Sequence, residues 1–304
     1  MEIIPWKSGD QPIPMGTTAI FEMKAEDYHS DPFEKPSLSS SIAKRMVGAS
    51  PYHGWLMHPK LGGCSESSST MDRGSLIHAL ILGQDTEDFV LIEADDFRSK
   101  AARSARDSAR AEGKIPVKVA DFRDAEATAD EVHEDLLRDG ILLSGHSELV
   151  FAWVESADGV DVQCRAMVDH IIPESSTIID FKNCESASPD SVRRSIYSYG
   201  YDIQFAAYTS AFCHLFPDLA GREDFLWAFI EQLPDESPKK SATQLYRPDG
   251  VMRELGRSRW GRAVKLWAEC LKSGRWPFYG NGPLQISPQS WIVKEELGER
   301  HAAD

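Results

Sequence analysis

The feature that most limits the fold of this chain is a pair of extended apolar runs, each of which carries an aspartate. Residues 160–183 form two runs rich in β-branched and apolar side chains, separated by a Pro-Glu-Ser-Ser turn, and this pattern predicts a β-hairpin. Asp169 lies in the first run and Asp180 in the second. A carboxylate within an apolar run costs free energy unless it is paired or binds a cation. The hairpin therefore predicts a cation site between adjacent strands.

Lys182 adds a third charged group to this predicted site. Side chains two positions apart on a strand point to the same face, so Asp180 and Lys182 project together while Ile179 and Phe181 enter the core. Two acids that hold a divalent ion, with an ammonium beside the water that the ion activates, would constitute a site for phosphodiester hydrolysis. The alternative is a half-buried salt bridge, because Asp-x-Lys is common in charged sequences.

The segment after the hairpin has the pattern of a helix. Pro189 is a start signal, and one helix is predicted over about 190–215, with Gln204 and Tyr208 four residues apart on one face. This amide and phenol could reach a metal-bound water or a DNA strand near the hairpin acids. Taken alone, they are the ordinary polar edge of a core helix.

An acid, then Asp-x-Lys, then a helix with Gln-x-x-x-Tyr resembles the core of the PD-(D/E)xK nucleases, and more closely their exonuclease VIII (RecE-type) branch. The resemblance covers roughly residues 28–291, and the acid of the first strand departs from the Pro-Asp form because no proline precedes it. Further matches lie outside the core, at Leu38-Ser39-Ser40-Ser41, Ser50-Pro51-Tyr52-His53, the box from Gly74 to His78, Trp276-Pro277 and Pro288-x-x-Trp291.

The resemblance implies an α/β fold with a central mixed sheet flanked by helices, and a site for Mg²⁺ in which Mn²⁺ could substitute. It adds His78 to Asp169 and Asp180 as metal ligands, and Glu148 and the backbone carbonyl of Phe181 are further candidate ligands. Lys182 would position or deprotonate the attacking water, and Gln204 and Tyr208 would orient the scissile strand. Without the resemblance, His78 is better interpreted as a buried histidine bonded to backbone, and Glu148 equally as a surface acid at a strand end.

The same resemblance implies an exonuclease that digests double-stranded DNA ends from 5′ to 3′ as a ring-shaped homo-oligomer. Such an enzyme would supply single strands to an annealing recombinase, often in a phage or prophage setting. Two other classes of protein remain open. The first is a structure-specific or site-specific endonuclease on the same core, which cleavage of closed circular DNA would favour. The second is a DNA-binding or partner-binding module without catalysis, which a failure to bind Mg²⁺ or Mn²⁺ would favour.

The most basic stretch of the chain covers residues 97–118. Its alanine-rich helical pattern places three arginines on one side, Arg103, Arg106 and Arg110. We expect this arm to grip the phosphate backbone of DNA, and a solvated helix is the alternative. Arg165 is in phase with Asp169 on its strand, so a phosphate contact is also predicted for Arg165, with charge compensation of the hairpin acids as its alternative.

Composition sets wider limits. The net charge of −15 over 304 residues argues against an extended surface that coats nucleic acid, although a local basic channel remains compatible with it. The five scattered cysteines predict neither a disulfide framework nor a zinc or iron–sulfur site. No apolar run reaches the length of a membrane span, so a cytoplasmic location is predicted. An irregular arm or small edge element over 1–36, one domain over 37–291 and a disordered tail over 292–304 are expected.

Overall fold

A computed structural model of the chain describes residues 1–64, 69–234, 236–280 and 283–297, with the backbone alone described over 69–73. The strands are β1 Ile4–Pro5, β2 Ala19–Glu22, β3 Leu38–Ser39, β4 Phe89–Ile92, β5 Ile115–Lys118, β6 His146–Ala157, β7 Val160–Ile172, β8 Thr177–Cys184, β9 Asp224–Gln232 and β10 Ser241–Tyr246. The helices are α1 Ala25–His29, α2 Ser40–Gly48, α3 Pro51–Met57, α4 Ser69–Ile81, α5 Lys100–Ala111, α6 Val119–Arg138, α7 Pro189–Tyr199, α8 Tyr201–Leu215, α9 Gly250–Ser273 and α10 Ser290–Leu297.

A central mixed sheet organises the molecule, in the order β1-β2-β6-β7-β8-β9-β10, with β3 pairing alongside β7. Strands β6, β7 and β8 form an antiparallel meander, and β8 then pairs in parallel with β9. A parallel neighbour requires a crossover connection, which helices α7 and α8 provide. The predicted α/β fold with a central mixed sheet is confirmed.

The predicted hairpin is formed by β7 and β8, and its turn is the 3₁₀ turn Pro173–Ser175 followed by Ser176 in the left-handed conformation, φ +54°. The first residue of the turn cannot donate to the sheet, because proline has no backbone N–H. The register from His170 opposite Ile179 to Ile172 opposite Thr177 closes the hairpin. The turn predicted from Pro173 is therefore confirmed.

Two apolar clusters cover the two faces of β8, and a third packs on β2 and β6 with the N-terminal arm. Ile178 belongs to the cluster that includes α8 and α9, whereas Ile179 and Phe181 belong to the cluster that includes α4 and α6. This alternation along β8 follows from the two-residue period of a strand. Every side chain from 177 to 181 is buried, because β8 is central and has helices on both faces. The expectation that Ile179 and Phe181 enter the core is confirmed.

The single helix predicted over 190–215 is wrong, since the structure has two helices that meet at Gly200. The φ of Gly200 is +65°, and a Cβ at this position would lie 2.9 Å from the Cγ of Lys44. Glycine adopts the left-handed conformation at no steric cost, so it can end α7 and leave room for the lysine. The helical spacing of the apolar residues continues across Gly200, so the sequence pattern alone predicted one helix.

The segments expected outside the core are partly as predicted. Residues 1–36 contain the small edge element that was the alternative to an irregular arm, since β2 pairs with β6 and extends the central sheet. The insertion around 97–118 contains helix α5 and strand β5, and β5 pairs with β4 in a separate two-stranded sheet. The tail expected to be disordered from 292 contains α10, which continues to Leu297, and residues 298–304 lie outside the described part of the chain.

Candidate active site

The site forms where two neighbouring strands separate. Strand β7 pairs with β8 only from His170 to Ile172, and beyond Ile179 strand β8 continues against β9 alone. Asp169 is the first residue of β7 beyond the pairing, and its Oδ2 accepts a hydrogen bond of 2.9 Å from the backbone N–H of Phe181 across the gap. We call this gap the fork, and define it by Asp169 on one strand and residues 180–182 on the other.

The predicted pair on β8 is present in the fork. Asp180 has a fully buried side chain, and its Oδ2 lies 2.6 Å from the Nζ of Lys182, whose side chain is 13% exposed. This Oδ2 has no hydrogen bond of good geometry within the described residues, so the contact is a charge pair with acceptor capacity left over. Burial raises the pKa of Asp180, against the opposing effect of the Lys182 ammonium. Burial by itself lowers the pKa of Lys182, but Asp180 and Asp169 raise it above its ordinary value.

His78 on α4 reaches the fork from the face of the sheet that α4 and α6 cover. Its Nε2 lies 3.0 Å from Asp169 Oδ2 and its Nδ1 lies 3.4 Å from Glu148 Oε1. Burial favours the neutral ring, but the two carboxylates outweigh it and raise the pKa of His78 to about 10. In this arrangement an imidazolium donates to both acids.

Glu148 occupies a strained position beside Asp169. Ladder pairing of β6 with β7 is interrupted there, between Ser147 opposite His170 and Leu149 opposite Val168. The φ of Glu148 is +50°, a left-handed conformation that costs about 1–2 kcal/mol for a residue with a Cβ. Such strain persists where the surroundings enforce it. With this backbone conformation, Glu148 Oε1 lies 3.4 Å from His78 Nδ1. The regular two-residue period of a strand does not predict this contact.

Gln204 and Tyr208 bridge the fork from helix α8. The Nε2 of Gln204 donates to Asp180 Oδ1 at 2.9 Å and to the Tyr208 hydroxyl at 2.8 Å, and this hydroxyl donates to the carbonyl of Met167 on β7 at 2.6 Å. Both side chains are buried. The predicted contact with the scissile strand is therefore corrected, because their polar atoms are taken up inside the protein. They hold Asp180 and the two strands in place.

Lys44 on α2 is a member of the site that sequence reasoning missed. Its Nζ donates to Gln204 Oε1 at 2.6 Å and lies 5.2 Å from the centroid of the Tyr201 ring. Burial, and next the ammonium of Lys182, lower the pKa of Lys44 to about 7. Among the described residues, no carboxylate forms an ion pair with it. No spacing marks this lysine, because α2 is remote in sequence from the hairpin.

Arg165 lies outside the fork, and its predicted phosphate contact is wrong. The guanidinium is 3% exposed. Its Nη1 donates to the carbonyl of Ser37 at 2.7 Å and lies 3.3 Å from Asp31 Oδ2. The same oxygen of Asp31 lies 3.1 Å from His58 Nε2. Arg165 compensates a buried charge, as the alternative held, but the acid is Asp31 in the N-terminal arm rather than the hairpin acids.

The three arginines proposed to grip DNA lie on α5, which packs on the small β4–β5 sheet. Arg106 donates to Asp107 through Nε and Nη2 at 2.9 and 2.7 Å, so part of its charge is compensated. Arg103 is exposed and borders a shallow surface depression with Lys100 and Ser104. DNA binding by this helix stays a prediction.

We expect replacement of the three α5 arginines by alanine to weaken DNA binding and to lower the salt dependence of binding, by roughly one unit of slope for each phosphate that is no longer bound. Fluorescence anisotropy with a labelled duplex at several salt concentrations measures both quantities. Arg98→Ala is the matched control, because this arginine is 92% exposed and precedes the helix. An unchanged slope in the triple variant would show that α5 is a solvated helix.

The donor groups of the fork suit a hard divalent cation. Oxygen ligands dominate, from the carboxylates of Asp169 and Asp180 and the carbonyl of Phe181, whose oxygen lies 3.4 Å from Lys182 Nζ. Within the described residues, no group of three or more His, Cys, Asp or Glu side chains has an arrangement that could hold a metal. Mg²⁺ is typically bound through one or two carboxylates with water and substrate oxygens completing its shell. Asp169 and Asp180 are suited to this mode of binding. His78 instead lies where it can pair as a cation with the acids, and its role as a metal ligand stays a prediction.

A forked mixed sheet that presents an acid on one strand and Asp-x-Lys on the next, backed by Gln-x-x-x-Tyr on the crossover helix, defines the PD-(D/E)xK class. The chain belongs to the family of PDDEXK-like domains of unknown function called DUF3799, whose sequence model matches residues 39–278. The predicted resemblance to PD-(D/E)xK nucleases is confirmed at this level. No curated protein matches the chain in sequence.

Solved structures extend the comparison of the fold. A protein from Eubacterium rectale described as a candidate exonuclease superposes with a TM-score of 0.53 at 16% identity, covering 91% of this chain and 99% of its own. A phage-related exonuclease from Haemophilus somnus has a TM-score of 0.33 at 12% identity, covering 79% of this chain and 96% of its own, which is too distant to bear on the fold. Separately, no helix in the described ranges is both long and apolar enough to cross a membrane.

Proposed function

We propose that this protein is a metal-dependent exonuclease that hydrolyses phosphodiester bonds from the ends of double-stranded DNA. The observation that carries the proposal is the meeting of Asp169, Asp180 and Lys182 at one fork, within a family of PDDEXK-like domains. Three charged groups from two strands lie together in a largely buried position. A fold-stabilising salt bridge would need only two of them.

Each group has a role that its contacts support. Asp169 and Asp180 would hold Mg²⁺ or Mn²⁺, with Glu148, His78 and the Phe181 carbonyl as further candidates. The bound cation would supply an activated water and neutralise phosphate charge. Lys182, whose pKa is raised, acts as an ammonium. It positions the water and stabilises the charge that develops on the phosphate in the transition state.

Gln204 and Tyr208 act through Asp180 rather than on the substrate. The amide fixes Asp180 Oδ1 while leaving Oδ2 toward Lys182, and the phenol ties the amide to strand β7. A preorganised carboxylate does not need to reorient during the reaction, which is the main source of electrostatic catalysis in enzyme sites. Both residues are therefore proposed as positioning residues.

The finer features of the proposal rest on the resemblance to RecE-type exonucleases. They are digestion from 5′ to 3′, processivity through a ring-shaped homo-oligomer, and transfer of the single strand to an annealing recombinase in a phage or bacterial setting. A cytoplasmic site of action is a separate proposal, which rests on the sequence pattern alone. The net charge of −15 requires that contacts with DNA be confined to local basic positions, because phosphate affinity depends on Lys and Arg. A ring that encloses the duplex would meet this requirement.

The test uses purified protein with end-labelled linear duplex and, in parallel, closed circular DNA. With Mg²⁺ we expect mononucleotides from the linear substrate, no cleavage of the circle, and loss of activity when EDTA removes the cation. Labels at the 5′ and 3′ ends report the polarity from the order of release. Cleavage of the circle would instead favour an endonuclease, and DNA binding without any hydrolysis in Mg²⁺ or Mn²⁺ would favour a non-catalytic module.

A further inference from the structure

A cleft of 870 Å³ adjoins the fork beyond Lys182. Helix α4 forms one wall through Gly74, the end of β8 forms the floor through Asn183, and α7 forms the other wall through Ser191, Ser195 and Tyr199. Its volume lies within the range of pockets that bind small organic molecules, about 300–1,000 Å³. None of the groups proposed to take part in hydrolysis lines the cleft, so hydrolysis alone does not explain why the cleft is present.

Two tyrosines, Tyr199 and Tyr201, line the cleft, and Tyr201 also lies beside the lysines of the fork. The Tyr199 and Tyr201 rings lie 5.6 Å apart between centroids at an interplanar angle of 34°, and Tyr199 is 64% exposed. The ammonium groups of Lys44 and Lys182 lie 5.2 and 5.0 Å from the centroid of Tyr201. The Tyr201 ring therefore contacts the Nζ atoms of both lysines at the fork, and Tyr199 presents an exposed aromatic ring at the cleft.

The polarity of the residues that line the cleft indicates whether a phosphate group or a nucleoside would bind there. Among the described residues that line the cleft there is no lysine or arginine. Its polar groups are the amides of Asn183 and Gln232, the hydroxyls of Ser191 and Ser195, the Cys184 thiol, the Tyr199 and Tyr201 phenols and one acid, Glu185. Phosphate groups are bound chiefly through cationic side chains. A nucleoside instead offers a flat base for aromatic stacking and polar edges for amides and hydroxyls. The lining therefore suits the base and sugar of a nucleotide, with the phosphate at the fork.

The loop that follows β8 is held by side chains from the neighbouring strands. The N–H of Ala187 donates to Glu231 Oε2 at 2.7 Å, and the hydroxyl of Tyr246 donates to the carbonyl of Ala187 at 2.6 Å. Because both backbone groups of Ala187 are held by side chains from β9 and β10, the connection between the β8 end of the cleft and α7 is already ordered without a ligand. A preformed site binds with a smaller entropy cost.

We propose that the cleft is a nucleoside-binding subsite for the strand being cut, in which Tyr199 stacks on a base next to the scissile phosphate and Lys44 binds that phosphate from the fork. The proposal rests on the proposed nuclease function and specifies where the substrate strand lies. It places the base on the α7 side of Lys182. Lys44 offers its Nζ as a donor to this phosphate, since its hydrogen-bond partner is the amide oxygen of Gln204 and not a carboxylate.

The test compares Tyr199→Ala, Tyr199→Phe and the matched control Tyr197→Ala. Tyr197 lies one half-turn earlier on α7, is 65% exposed and stacks under Arg259 at 4.8 Å, outside the cleft lining. The probe is a linear duplex with 2-aminopurine at the terminal nucleotide of one strand or the other, bound in Ca²⁺ so that it is not consumed. Base stacking quenches 2-aminopurine, so its fluorescence reports occupation of the subsite.

We expect Tyr199→Ala to weaken binding about tenfold or more and to lose the quenching, since one aromatic–base stack is removed. Tyr199→Phe and Tyr197→Ala keep both signals. In Mg²⁺, Tyr199→Ala raises KM more than it lowers kcat. Lys44→Gln lowers the salt slope of binding by about one, and Lys44→Arg restores it.

Equal quenching in wild type and Tyr199→Ala, or an equal loss in Tyr197→Ala, would overturn the subsite. Wild type that hydrolyses linear duplex while Tyr199→Ala behaves identically would leave the nuclease function in place and reject the subsite alone. Wild type that neither binds nor cleaves DNA would reject both.

Discussion

Lys182→Ala is expected to lower the rate of DNA hydrolysis by at least about 10²–10³-fold. Removing one preorganised donor from a developing negative charge typically costs this much, or about 2.7–4 kcal/mol of transition-state stabilisation. The structure adds a second reason, because the Nζ of Lys182 is 2.6 Å from the fully buried carboxylate of Asp180 and also neutralises that acid. Release of nucleotides from an end-labelled linear duplex in saturating Mg²⁺ measures the effect as kcat.

Loss of folding has to be separated from loss of chemistry in this variant, because removal of one partner leaves a buried charge. Lys182→Gln serves as the second variant, since it keeps a donor for Asp180 and removes only the charge. Circular dichroism and duplex binding in Ca²⁺ should remain close to wild type in Lys182→Gln, while its kcat falls. A kcat within tenfold of wild type in both variants would remove Lys182 from the mechanism.

Arg165→Ala is expected to destabilise the fold by about 3–5 kcal/mol, the usual effect of removing one partner from a buried ion pair. The carboxylate left behind is that of Asp31, whose side chain has no solvent exposure. It would keep His58, Ser37 and the backbone N–H of Phe33 as polar partners. Burial opposes ionisation of Asp31, but His58, Arg165 and Ser37 together lower its pKa. Urea unfolding measures the change as a lower midpoint at unchanged slope.

The prediction distinguishes the buried role of Arg165 from a role in DNA binding. Arg103→Ala is the matched control, since this arginine is exposed on α5 and its loss should leave stability within about 0.5 kcal/mol of wild type. The double variant Asp31→Asn with Arg165→Met removes both charges and should recover much of the stability lost in Arg165→Ala. Normal stability in Arg165→Ala, combined with weakened DNA binding, would restore the phosphate contact.

The relative positions of Asp180 and Lys182 on β8 could be predicted from the local sequence. Asp180 and Lys182 share a face because a strand repeats every two residues, and the turn at 173–176 set which strands were neighbours. The same period assigned Ile179 and Phe181 to the opposite face, as the structure has them. These features depend only on groups a few residues apart, which is the distance over which a regular strand constrains its side chains.

Other features depended on contacts between remote segments. The two-residue period of a strand places Arg165 and Asp169 on one face of β7. It does not indicate that Asp31 lies beside Arg165, whereas the fork opens at Asp169. Lys44 reaches Gln204 across 160 positions of sequence, and no local pattern encodes such a distance. In each case, the element that packs against the residue decides its role.

The sequence by itself determined the class of the core, through the order of its acids, its Asp-x-Lys and its helix with Gln-x-x-x-Tyr. Only the tertiary structure decided which charges face the fork, which are sealed in the interior and where an open cleft remains. The physical reason is that a strand or helix fixes the directions of its own side chains. The partner that satisfies or exposes each polar group comes from elsewhere in the chain.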